Sequence, residues 1–230
     1  MKAFSSLILI VSLVVAASAK PAPVIYLPKD GGAHLKVAVW LQGYRGYPGV
    51  IKEAYFQDAA DRLKIAIVGF PATTELGDET QQWAEEPAAD HAYIQERLAK
   101  IAAEHDLDVS RVALFGFSEG AMVAADICTR FPESYAGAII MSPGGFTNPQ
   151  AATTPLAQHT KQTYWAVCMA DEHPGNVGLT RAYAKHLKAL GSQVTEIEYP
   201  GIKEHTRPPD FKDRFPEWIG VILGIAAPKN

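Results

Sequence analysis

Gly116-Phe117-Ser118-Glu119-Gly120 is a G-x-S-x-G pentapeptide set between a short, mostly apolar, β-compatible run, Arg111 to Phe115, and a stretch from Ala121 to Arg130 that reads as helix. A serine at such a joint occupies a sharp strand-to-helix turn that lifts its hydroxyl clear of the sheet. The flanking glycines let strand and helix pass closely without a Cβ clash. The pattern is a nucleophile elbow, and its strand-turn-helix setting argues against the plain alternative of a tight turn that happens to contain serine. A serine hydroxyl is a poor nucleophile at neutral pH. It needs a histidine to take its proton and a carboxylate to orient that histidine.

In an open parallel sheet those partners must lie beyond the carboxyl ends of strands. His205 qualifies as the base, because it follows the strand Gln193 to Tyr199 in the loop Pro200-Gly201-Ile202-Lys203-Glu204-His205, ahead of the last helix. The acid should follow the preceding strand, Tyr164 to Met169, which runs into Ala170-Asp171-Glu172-His173-Pro174. Asp171 is the expected acid, with Glu172 taking the part if the strand ends one residue later. The bland reading of either is a loop carboxylate capping the helix near Val177. His173 lies too near Asp171 in the chain to approach it from the opposite side, and His186 falls mid-helix. His34, His91, His105 and His159 precede the acid and read as surface or packing residues. An acyl-transfer oxyanion needs two backbone N–H donors. Glu119, after the nucleophile, supplies one, and Tyr44, in the loop Gln42-Gly43-Tyr44-Arg45-Gly46-Tyr47-Pro48-Gly49, supplies the other. That loop has neither a P-loop ending nor a G-x-G-x-x-G, so a phosphate cradle is disfavoured.

The elements that must position these residues alternate along the chain. Val24 to Leu27 reads as an edge strand, Leu35 to Leu41 as a strand, Val50 to Leu63 as a helix and Lys64 to Phe70 as a strand. A polar, irregular segment, Thr73 to Gln82, precedes a helix from Pro87 to about His105, and Leu107 to Ser110 turns into the elbow strand. Helix 119–131 stops before Pro132. Then come a strand from Tyr135 to Ser142, a loop or short insertion from Asn148 to His159, the strand to Met169, a helix from Val177 to Leu190, the strand to Tyr199 and a last helix from about Pro209 to Ile225. Such alternation predicts an α/β fold, a mostly parallel central sheet covered by helices on both faces in one domain. No segment is long enough to form a separate cap over the site.

Composition bounds the rest. Met1 to Ala19 has Lys2, an apolar run from Leu7 to Ala17 and the small triplet Ala17-Ser18-Ala19, which reads as a secretory signal cleaved before Lys20, leaving residues 20–230 as the folded domain. The run falls short of the ~20 apolar residues a span needs, so a stable membrane anchor is not expected and the protein is expected to be secreted or periplasmic. A mature chain of about 210 residues buries enough surface to fold without disulfides or metals. The chain is 48% hydrophobic and 20% charged with a net charge of −4, which gives no basic footprint for nucleic acid. Cys128, on the helix after the elbow, and Cys168, in an apolar strand, read as two separate buried thiols, with a disulfide between them the alternative in an oxidising compartment.

The order Ser118, Asp171, His205, the elbow and the Gln42-Gly43 loop resemble the α/β-hydrolase superfamily over nearly all of the mature chain. Ala89-Asp90-His91-Ala92-Tyr93-Ile94, Asp108-Val109-Ser110-Arg111-Val112, Gly116 to Gly120 and Pro200-Gly201 with His205 are similar to the small cap-less carboxylesterase, lysophospholipase and polyhydroxybutyrate-depolymerase-like esterases. The resemblance implies an eight-strand-type sheet, no cofactor or metal, and hydrolysis of a small-molecule or polymeric ester through an acyl-enzyme. It implies structural roles for Asp90 and Asp108. Two departures stand out: Gln42-Gly43 replaces the family's usual His-Gly, and Cys168 stands where a glycine usually precedes the acid by three residues. A serine peptidase on the same fold and a non-catalytic binding protein are the rival readings. Turnover of an ester against a peptide anilide separates the first, and retention of function after Ser118→Ala would mark the second. Tyr44, Tyr47 and Trp83 are candidates for the rim of a shallow site.

Overall fold

The computed structural model describes residues 22–76, 81–84, 86–144 and 162–225. The leader Met1 to Ala19 and the segment Asn148 to His159 lie outside the described residues. The elements, in chain order, are β1 (Val24–Tyr26), β2 (Leu35–Leu41), a 3-10 turn (Pro48–Lys52), α1 (Ala54–Leu63), β3 (Ala66–Phe70), a small ribbon of β4 (Thr74–Glu75) and β5 (Gln81–Gln82), α2 (Pro87–His105), β6 (Leu107–Phe117), α3 (Glu119–Arg130), β7 (Tyr135–Met141), β8 (Thr163–Met169), α4 (Pro174–Ala189), β9 (Gln193–Tyr199) and α5 (Phe211–Leu223). The main sheet runs β1-β3-β2-β6-β7-β8-β9, with only β1 antiparallel. It is the expected α/β architecture, with seven strands among the described residues where the resemblance implies an eight-strand type.

Apolar residues on the two faces of the strands explain the layering. Val37, Val39 and Leu41 of β2 and Val112 and Leu114 of β6 pack with Ile94, Leu98 and Ile101 of α2, Ile127 of α3, and Tyr183 and Leu187 of α4. Ala38 and Trp40 of β2, with Ala113 and Phe115 of β6, pack on the other face against α1 and α5. There Phe56 meets Phe215 edge-on at 4.9 Å, and Phe115 meets Phe215 at 4.8 Å. A buried side chain of this size is worth roughly 1.5–3 kcal/mol, so these two layers hold the sheet.

Three boundaries differ from the sequence reading for local reasons. Val50 to Leu63 is not one helix. Pro48 nucleates a 3-10 turn, and Glu53 adopts an extended conformation (φ −62°, ψ 137°) that separates it from α1. Leu107 to Ser110 belongs to β6, because Leu107 and Asp108 pair with Leu35 and Lys36 before a register shift. The fourth helix begins at Pro174, three residues early, since a proline suits the first helical position.

The strand order fixes where a site can form. From β2 the chain moves outward to β3, then crosses back to place β6 on the other side of β2. The loops after β2 and β6 therefore diverge to opposite faces, opening a crevice beyond the strand ends, where Leu41 pairs with Gly116. Those two loops carry Gly43-Tyr44 and Ser118.

Candidate active site

Ser118 sits at φ 56°, ψ −123°, between the end of β6 and the first residue of α3. A non-glycine residue in that region is strained, typically by 1–3 kcal/mol, and such strain persists only where surrounding structure enforces it. The enforcement is visible. A Cβ on Gly120 would come 2.1 Å from the Leu41 carbonyl oxygen, and one on Gly116 would come 2.3 Å from the Gly120 carbonyl oxygen. Strand β6, helix α3 and the end of β2 thus touch backbone to backbone at the elbow, as the flanking glycines of the motif predict. The Ser118 amide donates to Met141 O at 3.0 Å, and its hydroxyl donates to Gly144 O at 3.2 Å.

The histidine reading places His205 beside this elbow. Its ring stacks on Phe117 with centroids 4.5 Å apart, and it lines one cleft of about 380 Å³ together with Ser118, Gly43 and Tyr44. The acid partner differs from the one expected. His205 Nδ1 lies 2.7 Å from Glu172 Oε2, whereas Asp171 accepts a hydrogen bond from the Gly201 amide at 2.5 Å. β8 ends at Met169, as read from the sequence, so strand length is not the reason. The chain turns at once: Glu172 N donates to Met169 O, and the Glu172 carboxylate folds back to accept from Met169 N at 3.1 Å. This tight return buries Glu172 under the histidine loop and leaves Asp171 outside to pin that loop's glycine turn.

Burial by itself would raise the Glu172 carboxyl. The Ser142 hydroxyl beside it and hydrogen bonds from Asn176, His205 and the Met169 amide outweigh that and hold it below the ordinary glutamate value. It is therefore an anion at neutral pH, and its partner nitrogen carries the proton. With Nδ1–H committed to Glu172, Nε2 is the ring nitrogen that keeps its lone pair. Asn176 is a contributor that the sequence reading missed. Its Nδ2 donates to Glu172 Oε2 at 3.1 Å, and its Oδ1 packs where a Cβ on Gly144 would stand. No motif marks it; the signal that could have found it is Pro174, which starts α4 early enough to put Asn176 in the first turn.

The β2 loop folds tightly against the nucleophile. A Cβ on Gly43 would come 3.1 Å from Phe117 O and 3.3 Å from Ser118 Cβ. Gly46 N closes a turn onto Gly43 O at 2.9 Å, with Arg45 at φ 56°, and Arg45 N donates to Gln81 O of the β4–β5 ribbon. Tyr44 thereby follows directly on the glycine that abuts Ser118. The Glu119 amide opens α3, where the helix supplies no acceptor for it and its dipole favours an anion. Trp83, a rim candidate, is fully buried instead and donates its indole N–H to Gln42 O at 2.8 Å; Tyr44 and Tyr47 do line the cleft.

Other sequence readings resolve into structure. Asp90 is buried and accepts from Thr73 and the Ala84 amide, Asp108 caps Ser110, and His173 caps α4. His91 stacks on Phe131, and His34 faces Asp106. Cys128 and Cys168 are separate, buried free thiols, and burial pushes Cys168 up to about 11. Among the described residues, no group of three or more His, Cys, Asp or Glu side chains could hold a metal, and no helix is long and apolar enough to cross a membrane.

Glu119 adds a titration of its own. Its side chain is buried, one carboxylate oxygen has no partner among the described residues, and burial pushes it up to about 7, opposed by the Trp83 amide and reinforced by Asp90. The folded state thus binds this proton more tightly than the unfolded chain does, so the associated stability is present below about pH 4.5 and is lost as pH rises through about 7. Thermal melts of wild type should fall between pH 5 and 8 by several degrees more than those of Glu119→Gln, which keeps the neutral shape at every pH. Equal slopes for the two proteins would remove Glu119 as the source.

The elbow, the sheet order and the facing histidine loop define an α/β-hydrolase. The phospholipase/carboxylesterase family model matches residues 75–213, more than half of the chain, and the protein belongs to that family. Membership makes it a hydrolase of carboxylic esters. Similar solved structures include the Bacillus cereus carboxylesterase (16% identity, TM-score 0.65, covering 87% of this chain and 93% of that one). Esterase PE8 is 20% identical with a TM-score of 0.67, over 88% of this chain and 99% of its own. A ferulic acid esterase is 14% identical with a TM-score of 0.66, over 87% and 90%. These likenesses speak for the fold. No curated protein matches the sequence.

Proposed function

We propose that the protein is a secreted serine hydrolase that cleaves a small-molecule or polymeric carboxylic ester through Ser118, His205 and Glu172. The observation that carries this reading is a strained serine at the switch point of the sheet, sharing a cleft with a histidine whose far nitrogen is held by a buried, ionised glutamate. His205 Nε2 takes the Ser118 proton as Oγ bonds the acyl carbon. The carbonyl oxygen becomes an oxyanion facing the Glu119 and Tyr44 amides, then returns its electrons to expel the alcohol, which leaves with the proton from His205. Water, deprotonated by the same imidazole, frees the acid and restores Ser118. Glu172 remains ionised throughout and stabilises the imidazolium.

The test uses protein recovered after export. It should begin at Lys20, react with a fluorophosphonate at Ser118, and turn over p-nitrophenyl butyrate far faster than a peptide anilide. Absence of labelling on folded protein would sink the hydrolase mechanism, a faster anilide would make it a peptidase, and a retained leader would overturn secretion.

A further inference from the structure

Gln42 stands where the cleft wall meets the elbow. The residue is 1% exposed, yet neither its amide nitrogen nor its amide oxygen has a hydrogen-bond partner among the described residues. A buried carboxamide left unpaired costs on the order of 1–3 kcal/mol, so a leucine or methionine would be the more stable occupant of a merely structural position. Its backbone is fixed on two sides. The indole of Trp83 donates to its carbonyl oxygen at 2.8 Å, and a Cβ on Gly120 would sit 2.5 Å from that same oxygen. Gly43, the next residue, abuts Ser118. The backbone that carries the side chain is therefore fixed at the reacting end of the cleft.

A second orphan accompanies it. Trp40, two residues earlier and so projecting from the same side of the chain, also lines the cleft, and its indole Nε1 has no acceptor among the described residues. The remaining walls near the nucleophile, Tyr47, Val50 and Phe117, are largely apolar. Arg207, the one Lys or Arg on the lining among the described residues, is already met by Glu53 Oε1 at 3.2 Å and by the Tyr55 hydroxyl, so it offers little to an anionic substrate. A neutral donor and acceptor beside a neutral donor, in a small and mostly apolar cleft, suits one neutral polar group on a compact molecule.

We propose that Gln42 is a specificity-determining residue: its carboxamide binds a hydroxyl on the substrate near the scissile ester, so the enzyme prefers short hydroxylated acyl esters over plain alkyl esters. This rests on the esterase reading above and deepens it. A hydroxyl both gives and accepts a hydrogen bond, which satisfies the amide oxygen and nitrogen together; a plain alkyl chain would leave both buried and unpaired in the complex.

The experiment compares p-nitrophenyl butyrate with the corresponding 2-hydroxy- and 3-hydroxybutyrates on wild type and on Gln42→Met, which keeps the side-chain volume. Wild type should favour at least one hydroxylated ester by about tenfold or more in kcat/KM, and Gln42→Met should remove that preference by slowing the hydroxylated ester while leaving butyrate within about threefold. No preference in wild type, or an equal loss on all esters in the variant, overturns the proposal. A second arm reads binding without turnover: in Ser118→Ala, the preferred hydroxylated ester should raise the melting temperature more than butyrate does, and Gln42→Met in that background should erase the difference. Should wild type hydrolyse none of the esters, the esterase reading falls on that result alone, while the melting-temperature comparison still decides for or against Gln42.

Discussion

Glu172→Gln should lower kcat/KM on any ester by about 10²–10⁴-fold, while Asp171→Asn should leave it within about threefold. The two carboxylates are chain neighbours of nearly equal acidity in the free state, so the contrast isolates geometry. Glu172 Oε2 is 2.7 Å from His205 Nδ1 and accepts from Asn176 as well; Asp171 accepts from the exposed Gly201 amide. A glutamine at 172 can present its NH₂ to Nδ1. That would drive the imidazole proton onto Nε2, the nitrogen that must be bare to take the serine proton, and would remove the charge that stabilises the imidazolium. The measurement is kcat/KM across pH for both variants, with melting temperatures to confirm folding. A large loss for Asp171→Asn with none for Glu172→Gln would return the acid to the position first read from the sequence.

That displacement by one residue shows how far the sequence could be read. The elbow was legible because its signal is local: G-x-S-x-G, a strand before it and a helix after it lie within some twenty residues, and Gly116 is required by its contact with Gly120 of the same motif, as Gly120 is by the end of β2. The place of His205 beside the elbow was legible from order alone, since one histidine follows β9, in the loop before α5. Which carboxylate meets its imidazole was not, although the end of β8 was placed correctly at Met169. Which of two adjacent carboxylates faces inward depends on how the chain turns in three residues, and that turn is set by the Glu172 side chain reaching back to the Met169 amide. Glu172 therefore helps build the turn that orients it, a circularity invisible to periodicity. Asn176 and Gln42 were missed for a different reason. Each is a polar residue whose meaning lies in what surrounds it: Asn176 through its bond to Glu172, and Gln42 through a carboxamide with no hydrogen-bond partner among the described residues.

The other large effect is expected at Ser118, where chemistry and conformational strain separate experimentally. Ser118→Ala and Ser118→Gly should each lose at least ~10³-fold in kcat, because neither can form an acyl-enzyme. Their stabilities should differ. Alanine keeps a Cβ and inherits the strained φ of 56° and ψ of −123°, whereas glycine occupies that region freely. Glycine also loses more conformational entropy on folding, by about 0.5–1 kcal/mol, against a strain relief of ~1–3 kcal/mol. The balance makes Ser118→Gly the more stable variant by roughly 1 kcal/mol, a few degrees in melting temperature for a domain of this size. Both lose the hydroxyl's bond to Gly144 O, so that term cancels between them. An alanine variant as stable as the glycine variant, or more so, would mean the elbow stores no strain, and the serine would then be held in place without the conformational tension its backbone angles imply.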